Sequence, residues 1–66
     1  MPKLTPIKLR RLVLELLATD VAKRAGIGRS RYSLIENDRI EAKPPEVEAI
    51  EKVFLEETMR QVRSGV

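Results

Sequence analysis

The chain has 66 residues with a formal net charge of +3, and it contains neither cysteine nor histidine. A chain this short supports one domain, covering 1–66, that buries only about 60% of its unfolded surface around a small core. Without Cys or His there is no disulfide, no thiolate metal site and neither the usual general base nor the strongest nucleophile, so neither hydrolytic catalysis nor a cofactor is expected.

No apolar run reaches the roughly 18 residues of a membrane span and no signal-peptide pattern opens the chain, so the expectation is a soluble, cytoplasmic protein with no membrane partner. The charge is uneven. Residues 1–43 hold ten Lys/Arg and five Asp/Glu, whereas residues 44–66 hold three and five. A basic N-terminal part beside an acidic C-terminal part suggests one face turned to a polyanion and another turned elsewhere.

Helix signals dominate, and there is no Asn-Gly or Asp-Gly hairpin signal. Thr5-Pro6 starts the first helix, since threonine caps free amides and proline loses nothing at the first helical position. Leu9, Leu12, Val13, Leu16 and Leu17 then recur as one apolar stripe, with Leu14 off it. A second helix spans 18–25, with Thr19 as its cap, Asp20 in its first turn and Val21, Ala22 and Ala25 as its inner face. Gly26 stops it, because glycine takes the left-handed conformation without a Cβ clash.

Residues 29–36 form the third helix, with Tyr32 and Ile35 inward and Asn37 and Asp38 at its end. A loop over 38–44 leads to Pro44-Pro45, which opens a fourth helix with Glu46 and Glu48 in its first turn. Val47, Ile50, Val53 and Phe54 are its core stripe. Leu55, Met59 and Val62 follow at i, i+4 and i+7 on a rotated face. Either the helix runs on and exposes that second stripe, or it breaks near Phe54 and a fifth helix forms the extension over 55–66.

Two short helices joined by a glycine turn, the second carrying basic and polar residues, form the helix-turn-helix pattern, here over about 18–37. Held by its apolar side, such a second helix can lay its outer side into a DNA major groove, N-terminal residues first. "VAKRAGI" followed by "RSRYSLIEND" resembles helices two and three of the lambda-repressor-like, Cro/XRE family, "GIGRS" is similar to the turn and start of its reading helix, and "PEVEAIEKVF" resembles its fourth helix. The likeness covers roughly residues 7–54. It implies an all-α, compact four- or five-helix domain whose partner is double-stranded DNA; with no second domain to act as a sensor, no small-molecule ligand is expected.

That resemblance places Arg29, Ser30, Ser33 and Leu34 against base edges, and Lys23, Arg31, Asn37 and Arg39 against phosphates. It matches Glu36 to a position that pairs with a helix-one arginine, here Arg10 or Arg11. Two departures stand out: Ala18 occupies the usual phosphate-contacting glutamine position, and "LELLAT" replaces the usual glycine turn between helices one and two. "DVAKRAG" alone is also similar to LacI-type headpieces and MerR-like modules. Those place the motif near the chain start, whereas here about 17 residues with a strong apolar stripe precede it.

The functional expectation is a sequence-specific transcriptional regulator, a small repressor that dimerises through Leu55, Met59 and Val62 so that two reading helices meet a palindrome. The alternative is a protein-binding module, an antitoxin, anti-repressor or coactivator on the same scaffold. Tyr32 and Glu36 are read as structural, and Lys23 and Arg24 alternatively as a solvated helix face.

Overall fold

The computed structural model describes residues 5–65, which fold into four helices with no strand among the described residues. These are α1 (Pro6–Val13), α2 (Ala18–Ala25), α3 (Arg29–Glu36) and α4 (Pro44–Ser64). Residues 1–4 and 66 of the expected domain lie outside this range.

Each start has a local cause. Thr5 caps α1: its hydroxyl accepts from the Lys8 amide at 3.2 Å and donates to the Glu36 carbonyl at 2.5 Å, joining the start of α1 to the end of α3. For α2 the expected Thr19 cap is wrong. Extended Leu17 precedes the helix with no side-chain cap, and Thr19 lies inside the first turn. Pro44 opens α4.

Three helix ends share one geometry. After α1, the Glu15 and Leu16 amides donate to Leu12 and Arg11 carbonyls at 3.0 and 3.1 Å. After α2, Gly26 and Ile27 donate to Lys23 and Ala22, and after α3, Asp38 and Arg39 donate to Ile35 and Leu34. Each crossed pair needs one left-handed residue, supplied by Glu15 (φ 59°), Gly26 (φ 71°) and Asp38 (φ 59°). The turn that lacks glycine between α1 and α2 is therefore still made, with strain at Glu15. That residue is exposed and makes no side-chain hydrogen bond or ion pair among the described residues. Glu15→Gly should thus stabilise the domain by about 0.5–1 kcal/mol, since relief of the left-handed strain outweighs the extra freedom of the unfolded chain. A melting temperature about 2–8 °C higher would register this, and a lower one would refute it.

The core joins Val21 and Ala22 of α2, Ile27 of the turn, Tyr32 and Ile35 of α3, and Ile50, Val53 and Phe54 of α4. Ile7, Leu14, Leu16, Ala18, Ala25, Ile40 and Ala42 pack around its edge. Val47, expected inside, is 42% exposed.

The α1 stripe also differs from expectation. Leu9, Leu12, Val13 and Leu17 are exposed, whereas Leu14, off the stripe, packs on the core. The helix turns inward a row at i, i+4 and i+7 formed by Ile7, Arg11 and Leu14. Its central member is a cation: Arg11 Nε donates to Glu36, and its Nη1 donates to the Leu16 carbonyl at 2.8 Å. Arg10, the other candidate for Glu36, instead pairs with Glu51 at 2.6 Å and lies over the Phe54 ring, 4.9 Å from its centroid.

The same device continues α4 past Phe54. Its inner row runs Ile50, Val53, Phe54, Glu57, and the Glu57 carboxylate, only 2% exposed, receives Arg24 at 2.9 Å and Arg60 at 2.7 Å. These hydrogen bonds, Arg24 first, hold its carboxyl below the usual carboxylate range. The helix therefore runs on to Ser64 without a break, and there is no fifth helix among the described residues. Leu55, Met59 and Val62 stand exposed on its outer side.

Candidate nucleic-acid interface

The turn between α2 and α3 begins at Gly26, where φ 71° and ψ 27° reverse the chain, and Ile27 then drops into the core. Ala22 on α2 is 2% exposed, within the core that α2 and α3 share. Tyr32, Ile35 and Glu36 are the buried side of α3. The Tyr32 hydroxyl is buried without a hydrogen-bond partner, and burial, reinforced by the charge of Glu36, pushes it up to about 12. Tyr32 therefore anchors α3 and is turned away from any base it could stack on.

At about 100° per residue, the opposite side of α3 is set by this anchoring. Ser30, Ser33, Leu34 and Asn37 fall at i, i+3, i+4 and i+7, forming one exposed row, and exposed Arg29 flanks it at the helix start. Leu34 is 40% exposed, so it belongs to this outer row and not to the core. Gly28 precedes α3 and provides no side-chain cap. The first-turn amides are left pointing out of the helix end, which favours an anion there.

The cations sort into two groups. Arg29, Lys23 and Arg39 are exposed and make no side-chain hydrogen bond or ion pair among the described residues. Arg24 and Arg31 are engaged. Arg31 Nε and Nη2 donate to the two Glu46 oxygens at 2.5 and 2.9 Å. Arg31, expected among the phosphate contacts, thus has its guanidinium turned to Glu46 of α4. Asn37 also folds back, its amide donating to the Ser33 carbonyl at 2.8 Å, which ties it to the end of the outer row.

Glu46, the partner of Arg31, is the residue that sequence reasoning missed. Its position in the first turn of α4 was legible as favourable for a carboxylate, but no local spacing connects residues 15 apart. Glu46 also accepts from the Lys43 amide at 2.9 Å. The hydrogen bonds from Arg31 and then Lys43 bring its carboxyl down to about 2.

A second surface is apolar. Leu9, Arg10, Val13, Leu14 and Thr58 line an open groove of about 350 Å³ between α1 and α4. Gln61 of α4 donates to the Leu14 carbonyl at 2.8 Å, tying the two elements together. On α4, Leu55 and Val62 follow Thr58 around the helix, with Met59 beyond them. Arg24 of α2 meets α4 at Glu56 and Glu57, on the other flank from Thr58. The apolar surface is thus on the side of α4 away from α2. No cluster of residues able to hold a metal ion occurs among the described residues, and no described helix is long and apolar enough to cross a membrane.

A family model described as helix-turn-helix matches residues 7–56. No curated protein and no solved structure matches the chain.

Proposed function

The chain belongs to the Cro/C1-type helix-turn-helix family of DNA-binding regulators, and from that membership we propose that it is a dimeric repressor reading an operator with α3. The observation that carries the reading is the outer row of α3, Ser30, Ser33, Leu34 and Asn37, flanked by an unpaired Arg29 at the helix start. In this reading Arg29 grips guanine O6 and N7, Ser30 and Ser33 bond base edges, and Leu34 meets a thymine methyl. Lys23 and Arg39, with the second amide hydrogen of Asn37, hold phosphates and set the register. Repression is by occupancy, in the cytoplasm of a cell whose operator α3 covers.

One such domain neutralises few phosphates, so its affinity for DNA of any sequence is weak. Two copies joined through Leu55, Met59 and Val62, on the side of α4 away from α2, place two copies of α3 on one face of the duplex and gain avidity. The exposed apolar residues of α1 and α4 are what this pairing covers.

Selection from a random duplex pool tests both parts. The expected result is a palindrome with half-sites about one helical turn, roughly 34 Å, apart. Arg29→Ala then lowers affinity for the selected site by about 1–3 kcal/mol, or roughly 5- to 150-fold, and affinity for random duplex far less. Equal losses on both would move Arg29 to the phosphate contacts. No enrichment by folded protein would sink the regulator reading. The exposed leucines of α1 and α4 would then assign the chain to a protein partner.

A further inference from the structure

We propose that Glu46 acts as an internal counter-anion for Arg31, withholding the second arginine of α3 from the DNA backbone and thereby raising the share of affinity that depends on sequence. The inference rests on the regulator reading above. Arg31 stands on α3 between Ser30 of the outer row and buried Tyr32, so a guanidinium left loose there would reach for phosphate on any duplex. It is not loose. Both oxygens of Glu46 are taken up by Arg31 Nε and Nη2 in a two-bonded fork at 2.5 and 2.9 Å.

Glu46 is itself held on three counts. Pro44 and Pro45 fix the backbone at the start of α4, the Lys43 amide donates to Oε1 at 2.9 Å, and the carboxylate sits in the first turn, where the helix dipole favours it. Its side chain is 18% exposed, against 40% for Arg31. The fork from Arg31, then the Lys43 amide, keeps Glu46 ionised, its carboxyl brought down to about 2. A forked Arg–carboxylate pair is geometrically demanding and stronger than a single charged hydrogen bond. A phosphate can recruit Arg31 only by breaking it and stranding Glu46.

Charge accounting makes this measurable. Each phosphate neutralised by a free cation adds about 0.9 to the slope of log K against log salt, whereas a cation already neutralised by its own carboxylate adds nothing. Non-specific binding consists almost wholly of this salt-dependent component, so an internal counter-anion lowers it while leaving the base-reading row intact. Lys23 and Arg39, with Asn37, remain to provide the backbone contacts.

The experiment titrates a random-sequence duplex by fluorescence anisotropy across 50–200 mM salt, with the full chain, R31Q, E46Q and the double variant. Glutamine at 46 keeps an acceptor for the Lys43 amide while removing the charge. Wild type and R31Q should share one slope. E46Q should be steeper by about 0.9, losing about 3.5-fold more affinity over that salt range, and the double variant should return to the wild-type slope. R31Q flattening the wild-type slope by about 0.9 would overturn the inference, because Arg31 would then already touch phosphate. So would an E46Q slope equal to wild type. If E46Q folds poorly, R31Q alone decides, since it tests the same contact in an intact α4. A wild-type chain that binds no duplex at any salt would overturn the regulator reading itself. Salt-dependent wild-type binding with a flattened R31Q would overturn only the role given to Glu46.

Discussion

Replacing Glu36 by alanine is expected to cost the domain about 3–5 kcal/mol, because it strands a buried cation. Arg11 keeps only 12% of its side-chain surface in water, and its Nε has Glu36 as its carboxylate partner. Once that carboxylate is gone, Arg11 must either stay buried with an uncompensated charge or leave the inner row of α1 and open the core beside Leu14. A 66-residue domain has about 3–10 kcal/mol of total stability, so from about a third to all of it is at stake. Urea denaturation followed by circular dichroism measures the loss. A Glu36→Ala midpoint within 1 kcal/mol of wild type would show that Arg11 finds another partner at no cost. The double variant Arg11→Met with Glu36→Leu separates charge from packing, since replacing both ions by apolar side chains of similar volume is often neutral or stabilising. It should recover most of what Glu36→Ala loses.

Phe54→Ala is the second large effect, also about 3–5 kcal/mol, from lost apolar burial and the cavity left behind. Phe54 is fully buried on α4, among the core residues that α2 and α3 contribute and beneath the guanidinium of Arg10. Truncating it removes both the wedge that docks α4 and the ring that positions Arg10 for Glu51. The neighbouring Leu55→Ala is the control. Leu55 is 59% exposed, so its truncation should shift stability by less than about 0.5 kcal/mol. If Phe54→Ala unfolds at nearly the wild-type urea midpoint, the packing of α4 on α2 is not what holds the domain together. The pair also bears on dimerisation. Leu55→Ala leaves the fold intact while thinning the apolar face proposed to meet a second copy, so a change in self-association there cannot be blamed on unfolding.

Much of the helical frame was legible because its signals are local. Pro6 and Pro44 mark starts through a missing amide, and Gly26 marks a stop through its left-handed φ. Tyr32 and Ile35 set the inner side of α3 through spacing alone, and with it the outer row of Ser30, Ser33, Leu34 and Asn37. The turn after α1 was harder to see because Glu15 adopts the conformation that a glycine would have announced.

One error and one choice left open share a cause. The apolar periodicity of α1 pointed to Leu9, Leu12, Val13, Leu16 and Leu17 as its inner face, and that of α4 left the helix in doubt beyond Phe54. In both helices the true inner row carries a charge, Arg11 in one and Glu57 in the other. A charged residue in an inner row is tolerable only when a partner neutralises it. Those partners, Glu36 for Arg11 and Arg24 for Glu57, lie 25 and 33 residues away in the chain.

By itself, then, the sequence determined the starts of α1 and α4 at proline, the stop of α2 at Gly26 and which side of α3 faces outward, since backbone preference and apolar spacing act over a few residues. Only the tertiary structure decided which apolar surface of α1 and α4 stays uncovered and which arginines are already occupied. Those outcomes depend on which carboxylate the packed helices bring within reach of each guanidinium, and such distances are set by docking and not by spacing along the chain.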